Sequence, residues 1–218
     1  MKRRTLGEKI FQVFNFILLT CLIATILIPV MNIISLSISE RDAILSRSVT
    51  VFPVGFMPKA YLEVVRHSLF LRSMFNTVLV TVVGTLLSVL VTLLVAYALT
   101  KNFVGKKPVT YFFVITMYFS GGLIPTYILY SNYYGLRNTY TVLFLPNLVY
   151  MFYIIVMRSQ IEAMPSEVFE AAHIDGAKEH QTLFRVVLPM ISPTIAAISM
   201  FFALGYWNQW FSILVYND

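Results

Sequence analysis

A polytopic, all-helical membrane protein is what this sequence predicts, and three observations predict it. The 218 residues are 58% hydrophobic and only 12% charged, against ~25% charged in ordinary soluble domains. Charge-poor apolar runs long enough to cross a bilayer recur five times along the chain. A charge at mid-bilayer costs ~2.5–3.5 kcal/mol, so such runs are what lipid selects. The basic residues gather at the ends of these runs, mostly on one side. The excess of 16 basic over 10 acidic residues therefore belongs to membrane topology and not to nucleic acid. The single cysteine, Cys21, excludes an internal disulfide framework.

The five spans fall within one membrane domain, residues 1–218, at about 10–34, 75–100, 108–130, 139–157 and 187–210. The first follows a basic N-terminus and is too long for a signal-peptide core, so it reads as a retained helix, kinked near its outer end by Pro29. Residues 35–74 form an outer segment, turn-rich at Phe52–Pro58 and then a short interfacial helix from Tyr61 to Leu71. The second span carries a stripe of small residues, Thr81, Gly84, Thr85, Ser88 and Thr92, which lets helix backbones approach closely in lipid. Around Tyr118-Phe119-Ser120-Gly121-Gly122 and Pro125 the third span is broken. Such a break lines a transport pathway or merely bends a packing helix; the residues leave both open. Pro146-Asn147 interrupts the fourth span, with Tyr150 just after it, and Asn208 sits near the far end of the fifth. With Tyr118, Ser120, Gly121 and Gly122 they make up the candidate pathway residues. Tyr206, Trp207 and Trp210 read as an interfacial aromatic belt, with contact to substrate as the alternative.

Between the fourth and fifth spans the chain turns charged. Residues 158–186 predict two short amphipathic helices separated by a turn: Pro165 at a first helical position, Glu167 in the first turn, Gly176 as a left-handed cap. Glu170-Ala171-Ala172, then Asp175-Gly176-Ala177, then Leu188-Pro189, with these spacings, resembles the EAA loop of binding-protein-dependent ABC importer permeases. Val186 stands where isoleucine is commoner in that loop. Ser120–Thr126, Tyr134-Gly135-Leu136 and Trp207–Trp210 extend the resemblance over nearly the whole chain, toward the carbohydrate-uptake branch and the second maltose-type permease.

The resemblance implies a type I ABC importer permease fold with six spans; the chain stops soon after the fifth, so a C-terminal helix is expected to be missing from it. It implies a cytosolic coupling helix in which Glu170, Ala171, Ala172, Asp175, Gly176, Ala177, Leu188 and Pro189 serve an ATPase dock. The implied partners are a dimer of ABC ATPase subunits, a sister permease subunit, an extracytoplasmic solute-binding lipoprotein and the lipid membrane. ATP and Mg would bind the ATPase and no cofactor this chain, which has no Gly-x-x-x-x-Gly-Lys-Ser/Thr motif. His173 and His180 read as solvated loop residues and not as metal ligands, and no catalytic constellation appears. Lys2, Arg3, Arg4, Lys9, Lys101, Lys106, Lys107, Arg158, Lys178 and Arg185 fall on one side of five spans, against six basic residues on the other. The positive-inside rule makes the larger set cytosolic, N-terminus included. The expected function is inward transport of a sugar or oligosaccharide across the cell membrane. The alternatives are an amino-acid or peptide permease of the same superfamily, or a secondary transporter or channel subunit. The last would need ionisable groups inside its spans, and none is found there.

Overall fold

The computed structural model describes residues 6–119 and 121–217. Ser120 and the basic Lys2, Arg3 and Arg4 lie outside the described residues. Helices α1 (Leu6–Ser37), α2 (Arg41–Leu45), α3 (Lys59–Arg66), α4 (Ser68–Thr100), α5 (Lys106–Tyr118), α6 (Leu123–Ile128), α7 (Thr141–Phe144), α8 (Met151–Glu162), α9 (Ser166–Ile174), α10 (Glu179–Gln181), α11 (Leu188–Met190), α12 (Ser192–Trp207) and α13 (Trp210–Tyr216) follow in order. α6 continues into a π turn, Leu129–Tyr133, and another π segment, Thr182–Val187, joins α10 to α11. α1 and α4 are each long and apolar enough to cross a membrane, and three bent helix pairs bring the candidates to five. The chain divides into two units, Met1–Ser73 and Met74–Asp218.

In the first unit α1 runs unbroken through Pro29 to Ser37. Its end is stitched to the loop that returns past it. Ser35 Oγ donates to Val51 O (2.6 Å), Asn32 Nδ2 to Thr50 O (2.6 Å), and Val54 N–H to Ser39 Oγ (3.0 Å). An isolated antiparallel bridge joins Ser39 to Phe56. The interfacial helix is shorter than the sequence predicts. α3 ends at Arg66, His67 is extended, and α4 begins at Ser68 inside the expected outer segment.

The second unit holds the apolar core. Val80, Gly84, Ser88, Thr92 and Ala96 are buried at a spacing of four along α4, so the small-residue stripe is a packing face. Tyr206 of α12 lies across it: a Cβ on Gly84 would fall 2.7 Å from the tyrosine ring. Tyr206 is 3% exposed, which removes it from the expected aromatic belt. Trp207 and Trp210 remain exposed. α8 packs against α5 and α12, with Ile154, Met157 and Ile161 fully buried.

The break in the third span has a local cause. α5 stops at Tyr118 and α6 starts at Leu123, so the Gly121-Gly122 pair makes the third break, Gly122 taking φ +82°. Pro125 is not the breaker. It sits in the first turn of α6, where no N–H is needed. In the fourth span Thr141–Asn147 meets α8 at 54°, and in the fifth Glu179–Met190 meets α12 at 84°. Leu188 and Pro189 therefore belong to the arm before that corner, and α12 begins at Ser192, later than the expected boundary near 187.

Candidate functional site: a charged turn and an aromatic cavity

The charged loop folds as a helix, a tight turn and a second helix. Pro165 is extended (ψ 135°) and precedes α9, one residue outside its predicted place, and Glu167 occupies the first turn. The chain reverses at Asp175–Lys178. Asp175 N–H donates to Ala171 O, Gly176 N–H to His173 O and Ala177 N–H to Ala172 O, each at 3.0 Å. Gly176 holds φ +70°, a conformation in which a side chain would meet its own backbone. α10 then starts behind Lys178, whose N–H donates to the Gln181 side chain at 2.8 Å.

Burial sorts the loop residues. Glu170, Ala171, Asp175, Gly176 and Pro189 are exposed, while Ala177 and Leu188 are half-buried. Ala172 is buried, alongside Thr182, Leu183 and Val187. Its methyl group thus packs inside this chain. Phe169, Glu170, His173, Ala177, Glu179 and Thr182 line a hollow of about 460 Å³ together with Lys101 and Ile174. Lys101, just past the end of α4, reaches Glu179 at 2.8 Å, and Tyr97 donates to the same carboxylate. The bonds from Lys101 and Tyr97 hold the Glu179 carboxyl below its ordinary pKa, against a smaller opposing push from burial. Burial pulls Lys101 down, but the bonds to Glu179 and Tyr97 outweigh it and leave its pKa raised. This link between the end of α4 and the loop has no signature in the sequence, because its partners lie far apart along the chain. Among the described residues, no group of three His, Cys, Asp or Glu is placed to hold a metal ion.

The candidate pathway residues do not form one site. Tyr118, Gly121 and Gly122 are exposed at the third break. Asn208 turns its amide back onto Leu204 O at 2.8 Å. Asn147 and Tyr150 do meet, in a cavity of about 240 Å³ beside the break between α7 and α8. Tyr150 OH donates to Asn147 Oδ1 at 3.1 Å, and Gln209 Nε2 donates to Leu143 O at 3.0 Å. Ser88 Oγ hydrogen-bonds Tyr206 OH at 2.8 Å and donates to Asn147 O at 3.3 Å. Sequence reasoning missed Tyr153, Phe202 and Gln209 in the cavity wall. Phe202 and Tyr206 lie one turn apart on α12, but Gln209 lies beyond the end of that helix, so no helical spacing marks it.

The comparisons with known proteins now fit this geometry. The chain is 33% identical over 208 residues to the polygalacturonan/rhamnogalacturonan transport system permease protein YtcP of Bacillus subtilis, a match covering 94% of this chain and 72% of that one. The chain belongs to the ABC importer permease family. Protein LplC of the same organism is 36% identical over 216 residues, 98% of this chain and 73% of LplC. The fold superimposes on a chain of a bacterial ABC transporter involved in the import of the acidic polysaccharide alginate, with a TM-score of 0.94 and 30% identity, covering all of this chain and 78% of that one. No family model matches the chain. As a member of the family it is a multi-pass transport component, working with ATPase and binding-protein partners.

Proposed function

We propose that this permease carries a sugar or oligosaccharide inward across the cytoplasmic membrane, driven by ATP hydrolysed on a separate chain. The observation that supports it best is the similarity to YtcP over nearly the whole chain, joined to a loop whose Glu170 is exposed beside a fixed Gly176 turn. In this reading residues 158–186 face the cytosol, and Glu170 pairs with a basic residue of one ATPase of a dimer. ATP and Mg bind the ATPases. A sister permease completes the pathway, and a solute-binding lipoprotein docks on the outer side. YtcP and the alginate importer are both named for saccharides, which disfavours an amino-acid or peptide cargo.

The test is uptake of labelled pectin-derived oligosaccharides by cells that carry the whole importer. ATP-dependent uptake is expected, and it should vanish when this chain is deleted or the ATPase is inactivated. Uptake that persists without the ATPase would refute the reading. Orientation is checked by cysteine labelling on a background lacking Cys21. A cysteine replacing Arg47 should react with an impermeant thiol reagent in intact cells, and one replacing Lys106 should not.

A further inference from the structure

We infer that the cavity between α8 and α12 is a subsite for one neutral pyranose ring of the transported saccharide; this rests on the sugar-importer reading above. At about 240 Å³ it falls below the ~300–1,000 Å³ that hold a drug-sized ligand, so it suits one ring and not a chain. Its walls have the two features that sugar recognition needs. The first is a braced aromatic surface. Tyr153 packs edge-on against Phe202 at 4.9 Å and parallel to Phe201 at 6.1 Å, and Tyr150 stands 5.7 Å from Tyr153. Flat, rigid rings of this kind accept the C–H faces of a pyranose at little entropic cost.

The second feature is a pair of planar amides held in place. Asn147 Oδ1 accepts a hydrogen bond from Tyr150 OH, and among the described residues Asn147 Nδ2 makes a long 3.4 Å bond to Gln209 Oε1. Gln209 Nε2 is anchored on Leu143 O. An amide offers two N–H donors and two lone pairs, so each keeps capacity for sugar hydroxyls. The cavity also adjoins a helix break in a membrane span, the usual place of substrate sites in transporters built from discontinuous helices.

The lining decides the charge of the occupant. Among the described residues it consists of Asn, Tyr, Phe, Gly, Gln and Ser, with no cation. A carboxylate seated there would be unpaired in a low dielectric, which is costly. A uronate ring is therefore rejected at this position, whatever acidic rings the rest of the saccharide carries.

The test uses the purified whole importer with Cys21 replaced and a reporter Ser212→Cys in the cavity wall. Labelling by a water-soluble thiol reagent is timed with L-rhamnose, D-galactose or D-xylose, and with D-galacturonate as the acidic counterpart. At about ten times its Kd, a neutral sugar should slow labelling about tenfold, and galacturonate should not. Tyr153→Ala should abolish the protection. Gln209→Leu, which keeps the volume, should weaken it and guards against a Tyr153 variant that fails to fold. Equal protection by galacturonate would overturn the inference, as would no protection by any neutral sugar. A reporter the reagent never reaches would mean that lipid or a partner side chain fills the cavity, which overturns it too. If ATP-driven sugar uptake persists in any of these cases, the subsite falls and the importer reading stands.

Discussion

Two glycines, one in an apolar candidate span and one in the charged loop, do opposite jobs. Gly84 has ordinary helical geometry but no room, because the Tyr206 ring occupies the place of its side chain. Gly176 has open space around it, with nothing within 4 Å of an added Cβ, but holds φ +70°. The first is a constraint of volume and the second a constraint of backbone. In lipid, helices gain little from apolar burial against one another, so the close approach that Gly84 permits supplies the attraction. In the loop the turn must only aim α9 and α10, and its surroundings stay free for a partner.

Substitutions that separate volume from backbone break the comparison most sharply. Gly84→Leu should be the most damaging change, near the upper end of the ~1–3 kcal/mol typical of overpacking, with loss of monodisperse protein after detergent extraction. Gly84→Asn should be nearly as bad. Gly176→Val should cost about 1–2 kcal/mol in the turn and leave membrane insertion and extraction unchanged, whereas Gly176→Asn, which tolerates the left-handed region, should be close to neutral. Thermal unfolding of the four purified variants reads the order. A Gly176→Asn variant as unstable as Gly84→Asn would erase the distinction.

The joint that Gly84 makes possible can be tested more gently. Tyr206→Phe keeps the ring and removes the hydroxyl that bonds Ser88. Hydrogen bonds between membrane helices average ~0.6 kcal/mol, so the melting temperature should fall slightly and uptake should persist. A large loss would mean that the hydroxyl and not ring packing holds α4 to α12.

A similarly small effect is expected at the Lys101–Glu179 pair. Because the Glu179 carboxyl is held below its ordinary pKa, its contribution is present above the usual carboxylate range and fades as pH falls through the lowered value. The raised pKa of Lys101 sets the other limit: its contribution is lost only as pH rises through that raised value. Between these limits stability should be flat. Glu179→Gln should cost no more than ~1 kcal/mol, since both side chains are substantially exposed. It should also flatten the acid side of a melting-temperature profile.

These residues also show what the sequence made legible. Span number and the Gly176 turn could be read because each leaves a local mark: charge-poor runs, and a glycine between amphipathic stretches. The α4 stripe could be read as a face but not its partner, because Tyr206 beside two tryptophans looks like a membrane belt. Pro125 looked like a helix breaker, and only its place in the first turn of α6 shows otherwise. Asn147, with Tyr150 close behind it, is legible because Pro146-Asn147 interrupts an apolar run, a local signal. Their neighbours Gln209 and Tyr153, and the Tyr97–Lys101–Glu179 link, arise from long-range packing that no local pattern records.

In the proposed function, the loop at residues 158–186 is the surface through which ATP hydrolysis acts on this chain. The most direct measurement is the amount of ATPase subunit that co-purifies with the complete importer carrying Glu170→Lys. Glu170 is exposed, so the charge reversal leaves the fold intact and acts only on what docks there. Normal membrane insertion is expected, with clearly reduced ATPase recovery and a matching fall in uptake. Wild-type recovery and wild-type uptake would contradict that role of the loop.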